Sequence, residues 1–308
     1  MYDAPVDLAL VAAAAPQAGL LKLPRARPMT MITKAVLDLM QCAACAHPEL
    51  GIGTRREPEL VCQGCGERYP FVDGIVDMVP RSAVHKYRYY RTDTLLNLIA
   101  PLYDLASPIV SLLIWKCPPL RYVDMAHRAV GRSIGGAYVE CPIGTGLVLG
   151  HIRAEHVAGP LIGIDSSWKM LQKARKRFEA LGMLDRVTLM RGDPEHLPIR
   201  SGAIRSLQSV NGLHTFHERK LVLKEFDRLM EPGGFISGSA LIRGHGAVAD
   251  MILNQYERYG VFPMLRSRAF ILTELREMLA YPRLQHETYG AVLFFSTHKP
   301  DSTPQTPG

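Results

Sequence analysis

The sequence predicts an α/β protein: a Rossmann-like parallel sheet with helices on both faces, preceded by a small cysteine-rich module. Three observations predict it. Two CxxC pairs, Cys42/Cys45 and Cys62/Cys65, stand sixteen residues apart near the N-terminus. The stretch YVECPIGTGLVLGHI, residues 138–152, runs a hydrophobic strand into a glycine-rich turn. Three acids, Glu140, Asp165 and Asp193, then close successive hydrophobic runs in chain order. A chain of 308 residues with 47% hydrophobic content supports one large core and a small satellite.

Residues 1–35 read as a disordered leader. Their centre is apolar, but Asp3 and Asp7 stand where a secretory signal would carry basic residues. Met29 and Met31 are alternative starts, and the expected location is cytoplasmic. Residues 36–82 form the cysteine module. Each CxxC knuckle points two thiolates at one metal, so Cys42, Cys45, Cys62 and Cys65 predict a closed tetrahedral Zn2+ site of structural kind. Two disulfides are the alternative, but nothing here indicates an oxidising compartment. Gly64 and Gly66 are expected to supply positive φ in the second knuckle. Cys117 and Cys141 fall outside the pattern and read as small buried hydrophobes. The apolar stretch Leu95–Trp115 is broken by Asn97, Pro101, Asp104 and Pro108, which makes it a poor membrane span and a good buried or substrate-facing helix pair.

Residues 137–141 read as a buried strand, with a helix expected from about Leu147 after the turn. Such a turn offers free amides, and Gly144 and Gly146 allow a ligand close to the backbone. The spacing also fits a loose dinucleotide fingerprint. Glu140 decides between ligands. A carboxylate at that strand end opposes a pyrophosphate, whereas S-adenosyl-L-methionine brings a sulfonium and an ammonium and no phosphate. Asp165, nineteen residues beyond Gly146, ends the next strand, where an acid can take both ribose hydroxyls. Asp193 ends a third strand and can accept from the adenine amino group. A fourth strand, residues 206–210, delivers Asn211 and His214 to the same edge. Each acid alone also fits a turn or a helix cap; three at successive strand ends, in this order, point to one ligand.

Two resemblances follow from these residues. The segment CAAC…LVCQGCGERYPFVDGIVDMVP resembles the zinc ribbon of the small activator protein of tRNA and protein methyltransferases, a ribbon also fused to many bacterial and plastid methyltransferases. Residues 83–300 resemble a class I S-adenosylmethionine-dependent methyltransferase, through ECPIGTG, GIDSSWKML, GDPEHLPI, FDRLMEPGGFISGSALI and the terminal YGAVLFFSTHK, expected as the antiparallel edge strand. The resemblance implies a seven-stranded sheet with a helical cap and a tail over residues 301–308. It implies cofactor binding by Tyr103, Glu140, Pro142, Gly144, Thr145, Gly146, Asp165, Ser166, Asp193, Pro194 and Asn211. Pro142 replaces the first of the usual glycines, which removes one amide donor.

The cap is expected from residues 81–132 and 243–270. Within it, Tyr103-Asp104 resembles the segment of ubiquinone/menaquinone-type methyltransferases that closes over the methionine end of the cofactor; a buried aromatic in an amphipathic helix is the plainer alternative. The apolar cap and Tyr256, Tyr259 and Phe262 favour an oily cavity. The expected function is therefore O- or C-methylation of a lipophilic small molecule: a quinone, a polyketide or a lipid-like metabolite. His214 is the candidate base, with a hydrogen-bonded structural histidine as the alternative. An rRNA or tRNA base methyltransferase using the ribbon for RNA is the second expectation, in keeping with a net charge of +7. The densest basic run, Lys169, Lys173, Arg175, Lys176 and Arg177, reads as a solvated helix face. A non-catalytic binding module is the third expectation, and a homodimer is compatible with all three.

Overall fold

The computed structural model describes residues 32–54, 58–81, 104–153, 156–262 and 265–301. It opens on a short helix, α1 (Lys34–Leu37), capped by Thr33, whose hydroxyl accepts the Val36 amide. Helix α1 thus begins inside the stretch expected as leader, of which residues 1–31 lie outside the described residues. Four strands of the cysteine module follow: β1 (Leu50–Thr54), β2 (Pro58–Cys62), β3 (Arg68–Val72) and β4 (Ile75–Asp77), each antiparallel to the next. Residues 104–113 form a helix, α2. Next comes α3 (Leu120–Arg132), which buries Tyr122, Met125, Ala126, Ala129 and Val130, the three-and-four spacing of a one-faced helix.

The parallel sheet begins with β5 (Tyr138–Glu140) and β6 (Leu161–Asp165), in which every residue is buried. Burial of both faces is the mark of a parallel strand covered by helices. Helix α4 (Trp168–Ala180) leads to β7 (Val187–Arg191) and β8 (Ile204–Ser209). Then come α5 (Arg219–Leu229), β9 (Met230–Arg243), α6 (Ala247–Arg258), the two-residue β10 (Arg266–Ser267), α7 (Arg268–Leu279), β11 (Gln285–Tyr289) and β12 (Val292–His298). The strand order is β1-β2-β3-β4-β7-β6-β5-β8-β9-β12-β11, with β10 beside β9. From β7 to β11 this is a seven-stranded Rossmann-like sheet. It does not stop there, because β4 of the cysteine module adds in parallel to β7. The chain winds outward from β5 through β6 to β7, then returns to place β8 on the other side of β5. The crevice at the C-terminal ends of β5 and β8 is thus the topological switch point, where such sheets bind ligands.

One face of the sheet carries α3 and α4, with Phe178, Leu171 and Ala174 packed on β6 and β7. The other carries α5 and α7. On that second face the core runs without a break into the module: Val36, Met40, Leu60 and Tyr69 belong to the same cluster as Ile199, Phe226 and Leu275. Arg200 stitches the two together, donating to the carbonyls of Met40 at 2.9 Å and Pro48 at 2.6 Å. Among the described residues no helix is long and apolar enough to cross a membrane.

Three expectations need correction. The segment after the glycine turn is only a 3-10 turn, Leu149–His151, and not a longer helix. Gly150 there is pressed under the Arg177 side chain, where a Cβ would lie 2.9 Å from Cδ, and Ile152 is already extended. The terminal strand β12 is not the edge. It is antiparallel to both β9 and β11, and the half-exposed QHETY of β11 makes the edge while the apolar VLFF of β12 is buried. In the basic run, Arg177 is only 25% exposed and turns inward to Asp104.

Candidate active site

The ends of β5, β6, β7 and β8 open into a cavity of about 810 Å³, roofed by α2, the start of α3 and the segment around Tyr256–Phe262. Glu140, Pro142, Gly144, Thr145, Asp165, Ser166, Pro194, Asn211 and His214 all line it. Both cap segments named from the sequence contribute to the wall. Tyr103 lies outside the described residues.

Glu140 is 2% exposed at the end of the central strand. The Tyr138 hydroxyl donates to its Oε2 at 3.3 Å and also bonds the Gln208 side chain at 2.9 Å. Burial pushes its carboxyl up to about 8, with the Tyr138 hydroxyl opposing the shift in part. No cationic side chain among the described residues offsets that burial. A lone buried carboxylate is costly unless a positive charge joins it. At neutral pH the Glu140 carboxyl is therefore mostly the neutral acid, and a cation brought to this strand end would favour its charged form.

Asp165 is bound from two sides. Gly144 donates its amide to Oδ2 at 2.8 Å, and Ser167 donates to Oδ1 at 2.9 Å. These bonds set the carboxylate plane, and two oxygens together offer about four acceptor positions. Gly144 and Gly146 both take positive φ, 57° and 68°. Gly146 is constrained twice, since a Cβ there would also lie 2.8 Å from the Phe178 ring. At the third strand end Asp193 accepts the Glu195 amide at 2.9 Å and faces His196 Nδ1 at 3.6 Å. The wall beside it is Gly192, Pro194 and Glu195, so Asp193 braces its loop from behind. Asn211 sits at φ 49°, a conformation asparagine tolerates, with its amide on Ser239 Oγ at 2.9 Å.

His214 is 1% exposed, and its Nδ1 accepts the Leu241 amide at 3.1 Å. A ring that accepts at Nδ1 carries its proton on Nε2. Burial, with Arg219 nearby, lowers its pKa to about 3. The base role expected of His214 is therefore corrected: within the cavity it is a neutral donor. Phe262 packs edge-on against it at 4.5 Å, Tyr256 against Phe262 at 5.1 Å, and Trp115 near Tyr256 at 6.4 Å. With Tyr122, Val261 and Leu241 they make an oily chamber beside the acid row. Tyr259 lies outside it and is exposed.

Several functional residues have no motif to announce them. Asp104 takes the Thr145 hydroxyl at 2.7 Å and the Arg177 guanidinium at 2.6 Å, while Arg177 Nε donates to the Thr145 carbonyl at 3.0 Å. This three-way tie fastens α2 to the glycine turn. Trp168 and Arg191 also line the cavity, stacked 5.4 Å apart. A signal existed only for Asp104, from its place beside Tyr103.

The four module cysteines converge. All four Sγ atoms lie within 4.8 Å of one another, with Cys42–Cys65 and Cys45–Cys62 at 3.6 Å and no disulfides. A zinc tetrahedron with Zn–S bonds of about 2.3 Å has S–S edges near 3.8 Å, so the set fits. Tyr69, fully buried, joins the shell by bonding Cys42 Sγ and accepting the Ala44 amide, each at 3.1 Å. Only Gly66 has positive φ, 73°, matched by Ala46 at 59° after the first knuckle. Gly64 is needed instead for space, because a Cβ would meet the His47 ring at 2.7 Å.

Residues 139–234 match a family model described as a methyltransferase domain. A ubiquinone/menaquinone biosynthesis C-methyltransferase from Syntrophotalea carbinolica is 30% identical over 146 residues, 46% of this chain and 58% of that protein. Demethylmenaquinone methyltransferases from Lactiplantibacillus plantarum and Symbiobacterium thermophilum are 27% and 29% identical, over 45% and 50% of this chain and 57% and 60% of theirs. The chain thus spans less than two thirds of the length of these curated relatives. Among solved structures, the YcgJ protein of Bacillus subtilis aligns with a TM-score of 0.47 and 11% identity, over 59% of this chain and 100% of that one.

The His214 geometry has a measurable consequence. Nitrogen NMR of the labelled protein should show a neutral ring, protonated at Nε2, from about pH 9 down to pH 4. Because the folded pKa, about 3, lies below the ordinary 6.5, the unfolded chain binds the extra proton between these values. The His214 contribution is complete above pH 6.5 and is lost as pH falls toward 3. A ring titrating near its ordinary value would contradict the buried bond to Leu241.

Proposed function

Starting from a chain that carries a class I methyltransferase domain, we propose an S-adenosylmethionine-dependent methyltransferase that methylates oxygen or carbon of a lipophilic small molecule. The observation that carries this proposal is a single cavity with two chemically different ends. One end is a row of buried acids at adjacent strand termini; the other is a chamber of Trp115, Tyr122, Tyr256 and Phe262. A volume of about 810 Å³ lies in the upper part of the roughly 300–1,000 Å³ range of small-molecule sites. That leaves room for a donor and a compact acceptor together. The quinone chemistry in the relatives' names agrees with an apolar, ring-bearing acceptor.

When bound, S-adenosylmethionine supplies a methyl group on a sulfonium, a leaving group already activated. Glu140 takes the cationic methionine end, which returns its carboxyl to the charged form. Asp165, held in plane by Gly144 and Ser167, takes the ribose hydroxyls. Pro194 and the Asp193 loop, with Ser166, bound the adenine end; Gly144 lets the ligand approach the turn, and Gly146 lets the turn pack on Phe178. Pro142, Thr145 and Asn211 shape the floor. Asp104 closes the cap over the methionine end by holding Thr145 and Arg177. The aromatic chamber aligns the acceptor and excludes water, which is most of what an in-line displacement needs from a protein. His214 serves as a donor that orients an acceptor oxygen through Nε2–H, and any base comes from the acceptor or from solvent.

Cys42, Cys45, Cys62 and Cys65 would hold one zinc ion with no open position, a structural role. Residues 36–82 are then a ribbon that buttresses the catalytic domain of residues 83–300. The oily lining favours a small-molecule acceptor over a tRNA or rRNA base, although the positive charge remains available to a polyanion.

Metal analysis of the purified protein should give about one zinc per chain, and a metal-free protein holding disulfides would remove the ribbon assignment. In calorimetry, Asp165→Ala should lose most of the affinity for S-adenosylmethionine, at least about a hundredfold for two charge-assisted bonds. Affinity equal to wild type in a folded Asp165→Ala would overturn the ribose assignment.

A further inference from the structure

The ribbon reaches the cofactor cavity through one side chain. Strand β4 lies parallel to β7 with Asp77 directly opposite Arg191, and the Met78 amide donates to the Arg191 carbonyl at 2.8 Å. The Asp77 carboxylate holds the Arg191 guanidinium, with Oδ2 at 3.1 Å and Oδ1 at 3.4 Å from one nitrogen. The two side chains are 20% and 14% exposed, so solvent screens this pair less than a surface one. Asp77 is itself oriented, since its Oδ1 accepts the Val79 amide at 3.2 Å. On the other side Arg191 does two things. Its Nε donates to the Ser166 carbonyl at 3.1 Å, and its guanidinium lies 5.4 Å from the centre of the Trp168 ring. Ser166, Trp168 and Arg191 are all cavity wall. Between Ser166 and Trp168 stands Ser167, whose amide fixes Asp165 and whose hydroxyl caps α4.

We propose that Asp77 is a positioning residue for cofactor binding: it fixes Arg191, and Arg191 seats the Ser166–Trp168 loop that follows Asp165 and orients its carboxylate through the Ser167 amide. The inference rests on the cofactor reading above and deepens it by giving the ribbon a part in the site. A planar guanidinium suits the task, because its donors point in fixed directions and its face accepts an aromatic ring. Removing Asp77 leaves the β4–β7 backbone ladder in place but frees Arg191 to change rotamer. The loop then samples orientations in which Asp165 and the Trp168 ring no longer meet the nucleoside together.

Loss of placement acts on both ligands alike. Asp77→Ala and Asp77→Asn should therefore weaken S-adenosylmethionine and S-adenosylhomocysteine by the same factor, roughly tenfold as expected for coupled neighbours. Only the first ligand carries the sulfonium charge, so the pair separates shape from electrostatics. Asp77→Glu, which restores a carboxylate, should recover part of the loss for both ligands. Asp77→Asn keeps the oxygen that accepts the Val79 amide, so it decides the matter if the alanine variant does not fold. Binding is read by calorimetry on the full chain, with zinc content and melting temperature measured alongside and expected to match wild type within a few degrees. Wild-type affinity in folded Asp77→Asn overturns the proposal. A loss confined to S-adenosylmethionine also overturns it, since that would mark Arg191 as a misplaced charge. A wild-type protein that binds neither ligand defeats the cofactor reading itself, an outcome distinct from both.

Discussion

A carboxylate that is 2% exposed, with no cationic side chain among the described residues to meet it, is the constraint on which the site depends. Glu140 lifts its own carboxyl to about 8, which costs about 3 kcal/mol of folding stability at pH 7 relative to an ordinary glutamate. A cation at this strand end would offset that cost by favouring the charged form. Around Glu140 the Tyr138 hydroxyl and the Gln208 carboxamide fix the side chain but do not neutralise it. A hydroxyl has one proton, so it donates to only one of these partners at a time. With its proton on Glu140, the hydroxyl faces Gln208 Oε1 at 2.9 Å; turning the carboxamide over would instead present Nε2, a buried donor without a protein acceptor, to the hydroxyl oxygen.

The rest of the architecture serves to keep such groups in register. The parallel order β7-β6-β5-β8 brings four strand ends to one edge, and the switch in direction between β6 and β8 around β5 opens the crevice there. Asp165 is oriented by the glycine turn on one side and by the start of α4 on the other. Asp104 ties the cap to the same turn through Thr145 and Arg177. The ribbon extends the sheet beyond β7 and shares one hydrophobic core with α5 and α7. The module is therefore continuous with that sheet through both backbone pairing and core.

Much of this was legible in the sequence, for identifiable reasons. Strand ends were readable because apolar runs terminate in acids, and each of Glu140, Asp165 and the Asp193 loop reaches the crevice. The four cysteines were readable because knuckle spacing is a local property. What could not be read was long-range pairing. Nothing local tells Arg191 that Asp77 lies opposite it, 114 positions earlier in the chain, or Arg177 that it faces inward from a helix dense in lysine. The length of the helix after the glycine turn depended on Gly150 fitting beneath Arg177, a contact between distant segments. The same limit applies to His214, whose sequence neighbourhood suggests a base; the Leu241 amide that occupies Nδ1 comes from another strand.

If Glu140 is a buried acid that a cationic donor ionises on binding, its proton reports the event most directly. Calorimetry of S-adenosylmethionine binding across about pH 6 to 9.5, in wild type and in Glu140→Gln, isolates the carboxyl because titration of the ligand is common to both. The ratio of wild-type to variant affinity should climb about tenfold per pH unit below the carboxyl's raised value near 8 and flatten above it, as ionisation stops opposing binding. Parallel curves, with the ratio constant throughout that range, would contradict the account.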